Sequence, residues 1–186
     1  MTALTLANQL TLLRMLLIPA FVILVLYRHL GWALAVFVTA GITDGLDGLI
    51  ARRAGQKTSL GAWLDPMADK LLLVTTFVVL TLPGLGLANR LPVWLTVLII
   101  FRDVCIVLTV AIVNLAIGRR TFRPSIYGKI ATATYIVTAV TAMLFNYLDY
   151  HSVIVDLGVF ASLGITVISA VDYLWRARGL IDGTAR

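Results

Sequence analysis

The chain has 186 residues, 60% of them hydrophobic and 13% charged, with a mean hydropathy of +0.98 and a formal net charge of +6. That balance excludes a water-soluble domain of this length, and apolar runs of about 18–25 residues recur, each able to cross roughly 30 Å of hydrocarbon. The positive charge reads as attraction to anionic lipid headgroups, and no recognition motif supports a nucleic-acid partner.

Residues 1–9 (MTALTLANQ) read as a short interfacial lead-in. No cleavable signal is expected, because the first apolar segment lacks a basic n-region and a small-residue cleavage site. The first span follows as TLLRMLLIPAFVILVLY, interrupted early by Arg14. That arginine has two readings: it snorkels to the headgroups, or it serves a polar site. After a tight turn at Arg28, His29 and Gly31, a second span covers about residues 32–50. The polar basic loop at 53–57 leads into a third span, about 60–82, in which Pro66 is tolerable only near a helix start or a polar cavity. The Gly-, Pro- and Asn-bearing segment 82–92 predicts a turn.

The fourth span, about 93–117, holds adjacent Arg102 and Asp103, a pair able either to satisfy itself against neighbouring helices or to serve an acceptor pocket. Cys105, the single cysteine, can form no intrachain disulfide and reads as a buried small hydrophobe. Residues 118–125 (GRRTFRPS) are strongly basic, and Tyr127-Gly128-Lys129 opens a fifth span reaching about 147. His151 stands in the next loop without a partner at metal-ligand spacing. The last span, about 153–175, precedes an arginine-bearing tail, 176–186. The expected architecture is one all-α integral membrane domain over 1–186 with about six transmembrane helices and no internal repeat.

The chemistry concentrates between Thr43 and Lys70, TDGLDGLIARRAGQKTSLGAWLDPMADK, where four aspartates sit in apolar surroundings. Asp44 and Asp47 are three apart and Asp65 and Asp69 four apart, so on helices each pair shares one face. An ionised carboxylate at the centre of a membrane helix costs roughly 2.5–3.5 kcal/mol on insertion scales. Four close together must take up protons or be neutralised by a cation, and hard oxygen ligands suit Mg²⁺, Mn²⁺ or Ca²⁺. The chain contains no Glu, so every acid has the short, stiffer Asp stem. Gly48, Ala51 and Gly61 are small residues on the same helix sides, and the planar fork of Arg52 suits either a carboxylate or a phosphate.

The run Asp44-x-x-Asp47-Gly48-x-x-Ala51-Arg52, eight residues, then Gly61-x-x-x-Asp65-x-x-x-Asp69 resembles the signature of the CDP-alcohol phosphotransferases, with every specified position matched. Asn8-x-Leu10-Thr11-x-x-Arg14 is similar to the family's usual opening, and Lys129 with Thr132 resembles a Gly-Lys-x-x-Thr feature of its glycerophosphate-type members. The resemblance implies an integral membrane enzyme that moves a phosphatidyl group from CDP-diacylglycerol to an alcohol and releases CMP. It implies one or two Mg²⁺ or Mn²⁺ ions held by Asp44, Asp47, Asp65 and Asp69, with a donor site formed by Asp47, Gly48, Ala51, Arg52 and Gly61. Asp69 is then the candidate general base. An anionic acceptor needs positive charge of its own, for which Arg102, Lys129, Arg119, Arg120 and Arg123 are the candidates.

Resemblance to bacterial phosphatidylglycerophosphate synthases favours glycerol 3-phosphate as acceptor, whereas Arg102-Asp103 is more like cardiolipin synthases, whose acceptor is phosphatidylglycerol. Candidate partners beyond the substrates are the lipid bilayer and a second copy of the chain in a homodimer. Arg52, Arg53, Lys57, Arg119, Arg120, Arg123, Arg176, Arg178 and Arg186 fall on one side of the expected topology, against Arg28 and Arg90 on the other. The positive-inside rule then places both termini and the aspartates at the cytoplasmic face, and resemblance to bacterial members of the family implies the inner membrane. A cation transporter or channel lined by intramembrane aspartates is the reading from another class. The helix-terminal siting of the aspartates, the small residues with Arg52, and the missing repeat all favour the enzyme.

Overall fold

The computed structural model describes residues 6–54, 59–117 and 125–182, and the side chains of 9–43, 67–109, 111, 115 and 125–176 among them. The described residues form six helices and no strand: α1 (Leu6–Leu26), α2 (Leu30–Ala54), α3 (Ser59–Thr81), α4 (Val93–Ile117), α5 (Ile126–Tyr147) and α6 (Val153–Asp182). Three described segments, Gln9–Leu26, Ile126–Tyr147 and Val153–Arg176, are long and apolar enough to cross a membrane. Helix α1 starts inside the expected lead-in, and α6 runs seven residues past the expected end at Trp175. The extension is physically reasonable because RARGLID contains no proline and only one glycine among good helix formers. Length relative to the bilayer limits the apolar part of the helix and leaves the helix itself free to continue.

The chain divides into two compact units, the first made of residues to Arg90 with Ala142–His151, the second of Leu91–Thr141 with Ser152–Arg186. In the first unit α1 packs against both α2 and α3. Its buried positions are Thr11, Arg14, Ile18, Phe21 and Val25, the alternating three- and four-residue advance of a helix seam. The seam is apolar except at its N-terminal end. The outward face (Leu12, Leu13, Leu16, Ile23, Leu26) is apolar too, as lipid requires. Ala33, Phe37 and Ala40 form the facing stripe of α2, with the Phe21 and Phe37 ring centroids 6.0 Å apart.

Polar ties close the far end of this unit. The Asn89 amide donates to Asn146 Oδ1 at 2.7 Å, Asn146 Nδ2 donates to the Asn89 carbonyl at 3.2 Å, and Asn89 Nδ2 donates to the Tyr150 carbonyl at 2.7 Å. These bonds satisfy backbone that the α3–α4 and α5–α6 connections leave outside any helix. Arg28 takes a left-handed backbone (φ 62°) and its guanidinium donates to the carbonyl of Gly86, itself at φ 57°. Glycine meets that requirement without strain.

The second unit is held by hydroxyls. Val155, Val159, Ser162, Thr166 and Ser169 make the buried stripe of α6, and Ala131, Tyr135, Thr138 and Ala139 that of α5. Tyr135 Oη lies 2.5 Å from Thr166 Oγ1, and Thr138 Oγ1 lies 3.1 Å from Ser162 Oγ and from the Gly158 carbonyl. A Cβ at Gly158 would come within 2.9 Å of Thr138 Oγ1, so the glycine is what allows α5 and α6 to approach this closely. Such bonds average about 0.6 kcal/mol each in membrane helices, so several are needed to specify one packing. Helix α4 also packs on α6, with Arg102 bonded to Ser169 across the contact. Between them lies an apolar cavity of about 250 Å³ bordered by Phe101, Arg102, Cys105, Val167 and Tyr173. Cys105 is half-buried at this cavity instead of fully buried as expected, because its position faces the gap between helices.

Candidate active site

The polar end of the α1 seam meets the two helices that carry the aspartates. The buried α2 positions 33, 37 and 40 advance by four and three, and the same advance continues to 44, 47 and 51. In α3 the buried positions 68, 72 and 76, followed backwards, reach 65 and 61. The backbone is helical through Asp44, Asp47, Gly48, Ala51 and Arg52 and through Gly61, Asp65 and Asp69, which is the local structure that the spacing demands. The side chains of Asp44, Asp47, Ala51, Arg52 and Asp65 lie outside the described residues. Among the described residues no group of three or more His, Cys, Asp or Glu is placed to hold a metal ion.

Of Asp44, Asp47, Asp65 and Asp69, the last is the one whose side chain is described. Arg14 Nη1 donates to its Oδ1 across the α1–α3 contact. The partners differ in exposure: Arg14 is 1% accessible, whereas 43% of the Asp69 side-chain surface is open. Snorkelling is therefore the wrong reading of Arg14. Its position on the buried seam, one turn from Thr11, turns the guanidinium into the bundle, and a buried cation persists only with a carboxylate or equivalent partner in reach. Sequence reading left Arg14 unassigned; its signal was a charge at a seam position.

In the second unit Arg102 is also buried, at 8% accessible. Nη1 donates to Asp103 Oδ1 at 2.9 Å and Nη2 to Ser169 Oγ of α6 at 2.5 Å, while its enclosed Nε has no hydrogen-bond partner among the described residues. The pair thus satisfies itself in large part, with α6 supplying the third member. A Cβ at Gly128 would lie 3.4 Å from Arg102 Nη2, which brings the start of α5 to the same cluster. Ser125 donates to Asp172, which also pairs with Arg176 at 3.0 Å. Lys129 is exposed in the first turn of α5, and Thr132 bonds back to the Gly128 carbonyl at 3.1 Å. Arg119, Arg120 and Arg123 lie outside the described residues. His151 is exposed in the α5–α6 connection.

The sequence model described as CDP-alcohol phosphatidyltransferase matches residues 4–170. A probable phosphatidylglycerophosphate synthase of Mycobacterium tuberculosis is 38% identical over 192 residues, covering 96% of this chain and 84% of the relative. A putative cardiolipin synthase of Mycobacterium bovis is 37% identical over 142 residues, covering 76% of this chain and 65% of the relative. The CMP-forming cardiolipin synthase of Homo sapiens is 35% identical over 164 residues, covering 78% of this chain and 53% of the relative.

Proposed function

The chain belongs to the CDP-alcohol phosphatidyltransferase family, and within that family we propose that it transfers the phosphatidyl group of CDP-diacylglycerol to glycerol 3-phosphate, giving phosphatidylglycerophosphate and CMP. It is an all-α integral membrane protein and a phospholipid-forming transferase. Family membership replaces the transporter reading. The observation that carries glycerol 3-phosphate is the reach of the similarity: it spans 96% of the chain for the relative named phosphatidylglycerophosphate synthase. Phosphatidylglycerol is the second reading, favoured by the apolar cavity between α4 and α6, whose lining suits an acyl chain and includes Arg102. Purified enzyme given CDP-diacylglycerol, Mg²⁺ and each acceptor in turn decides the matter by the lipid formed. Phosphatidylglycerophosphate is expected; cardiolipin from phosphatidylglycerol alone would overturn the first reading.

The donor set fits a hard divalent cation, since it consists of carboxylates alone on helical backbone that packs around α1. Asp44, Asp47, Asp65 and Asp69 would hold one or two Mg²⁺ or Mn²⁺ ions. When bound, the cation neutralises charge on the donor pyrophosphate and on the departing CMP. Arg52 steadies the same phosphates, and Gly48, Ala51 and Gly61 leave room for the nucleotide beside the helices. Asp69 takes the proton of the acceptor hydroxyl as its oxygen attacks the lipid-side phosphorus; the bond from that phosphorus to the bridging oxygen breaks and CMP leaves. Coupled carboxylates share protons, so the base is a role within the cluster.

Lys129, Arg119, Arg120 and Arg123 supply positive charge for the acceptor's phosphate in this reading, whereas the charge of Arg102 is largely offset by its pairing with Asp103. Lys129→Ala is expected to raise the acceptor's apparent KM about tenfold or more, the loss of one charge-assisted bond of roughly 1.5–3 kcal/mol, with donor affinity unchanged. Weaker CDP-diacylglycerol binding at unaltered acceptor KM would count against the assignment. The basic loops support a site facing the cytoplasm, and the similarity to bacterial relatives supports an inner-membrane location. In a Cys105→Ser background, Lys57→Cys should react with an impermeant thiol reagent only in inside-out vesicles. Labelling in right-side-out vesicles alone would reverse the orientation.

A further inference from the structure

We propose that Arg14 is a positioning residue for Asp69, fixing the direction of its carboxylate for the acceptor-activating step. The inference rests on the reading of Asp69 as general base.

The first argument is the asymmetry of the pair. An ion pair is a costly way merely to hold α1 to α3, because burying a charge carries a desolvation penalty and a well-packed apolar pair often does as well or better. Here the guanidinium is enclosed and the carboxylate is 43% open. Asp69 does not need Arg14 for solvation. Arg14 is the enclosed member of the pair, and it occupies a seam position that continues in Ile18, Phe21 and Val25, where an aliphatic side chain would pack without desolvating a charge. The arrangement sacrifices apolar packing at one position to fix a carboxylate that faces open volume. The second argument is side-chain type. A planar guanidinium sets the direction of an oxygen, whereas an ammonium of equal charge attracts without aligning. The third is position: α1 packs on both aspartate-bearing helices, so a group anchored in its buried face holds Asp69 against the element shared by the whole site.

The test uses the full-length enzyme in detergent or nanodiscs, with turnover expressed per folded molecule from a thermal melt and size-exclusion profile. Arg14→Lys should lower kcat about 10–100-fold while the KM for CDP-diacylglycerol stays within about twofold, the split expected when an interaction acts on the transition state. Arg14→Gln should lose at least as much. Because Arg14 acts through Asp69, the combined Arg14→Gln/Asp69→Asn protein should be no slower than Asp69→Asn alone. A purely structural strut predicts something else: a lower melting temperature in Arg14→Lys with kcat per folded molecule intact, or additive losses in the double variant. Either result overturns the proposal. If Arg14→Gln does not fold, Arg14→Lys alone decides. Full turnover by Asp69→Asn removes the base reading and this proposal with it. An inactive Asp69→Asn beside Arg14 variants at wild-type kcat removes the positioning role only.

Discussion

Asp69→Asn is expected to lower the single-turnover rate of phosphatidyl transfer by about 10²–10⁴-fold, the range that a positioned general base contributes, while CDP-diacylglycerol still binds. The amide keeps the shape of the side chain and one carbonyl oxygen able to accept from Arg14, and it loses the capacity to take a proton. Position supports the role: Asp69 lies in the third turn of α3, paired on its inner side and 43% open. The substitution also deprives buried Arg14 of a charged partner, so the folded fraction has to be measured with the rate. Loss of rate at unchanged donor affinity and folded fraction supports the base. Rescue of Asp69→Asn by excess metal, or full turnover without it, would leave all four aspartates as ligands only.

The helices were legible because each apolar run is bounded by basic or turn-forming residues, and α4 spans the same residues, 93–117, that its hydropathy predicted. The end of α6 was not. Hydropathy reports where lipid stops, and the helix continues beyond it through Arg178 and Leu180 to Asp182. The helical backbone through the four aspartates was legible from their spacing, since three- and four-residue intervals place residues on one face of any helix. The role of Arg14 could not be read the same way, because it depends on which helix α1 packs against, and its partner is 55 residues away. The seam at 11, 14, 18, 21 and 25 carries that information once burial is known. For Arg102 the sequence offered self-satisfaction or a pocket; Asp103 was visible as its neighbour, but Ser169 on α6 is a tertiary partner that no local pattern announces.

Asp44→Asn should fail differently from Asp69→Asn. Asp44 lies on α2, on the register that continues the buried stripe of Ala33, Phe37 and Ala40, and in the proposed mechanism it holds metal and moves no proton. An amide in its place keeps one oxygen ligand but removes a negative charge, so cation affinity falls and, with it, affinity for the pyrophosphate of the donor. The expected result is weaker CDP-diacylglycerol binding at fixed Mg²⁺, by about tenfold or more for each 1.4 kcal/mol lost, with much of the single-turnover rate restored as Mg²⁺ or Mn²⁺ is raised. A metal titration of donor affinity and single-turnover rate in both variants separates the two roles. Mass action can refill a weakened metal site, but it cannot supply a missing proton acceptor. If Asp44→Asn loses turnover at undiminished donor affinity and no metal concentration restores it, the division of labour between the two aspartates is wrong, and proton transfer belongs to the α2 pair.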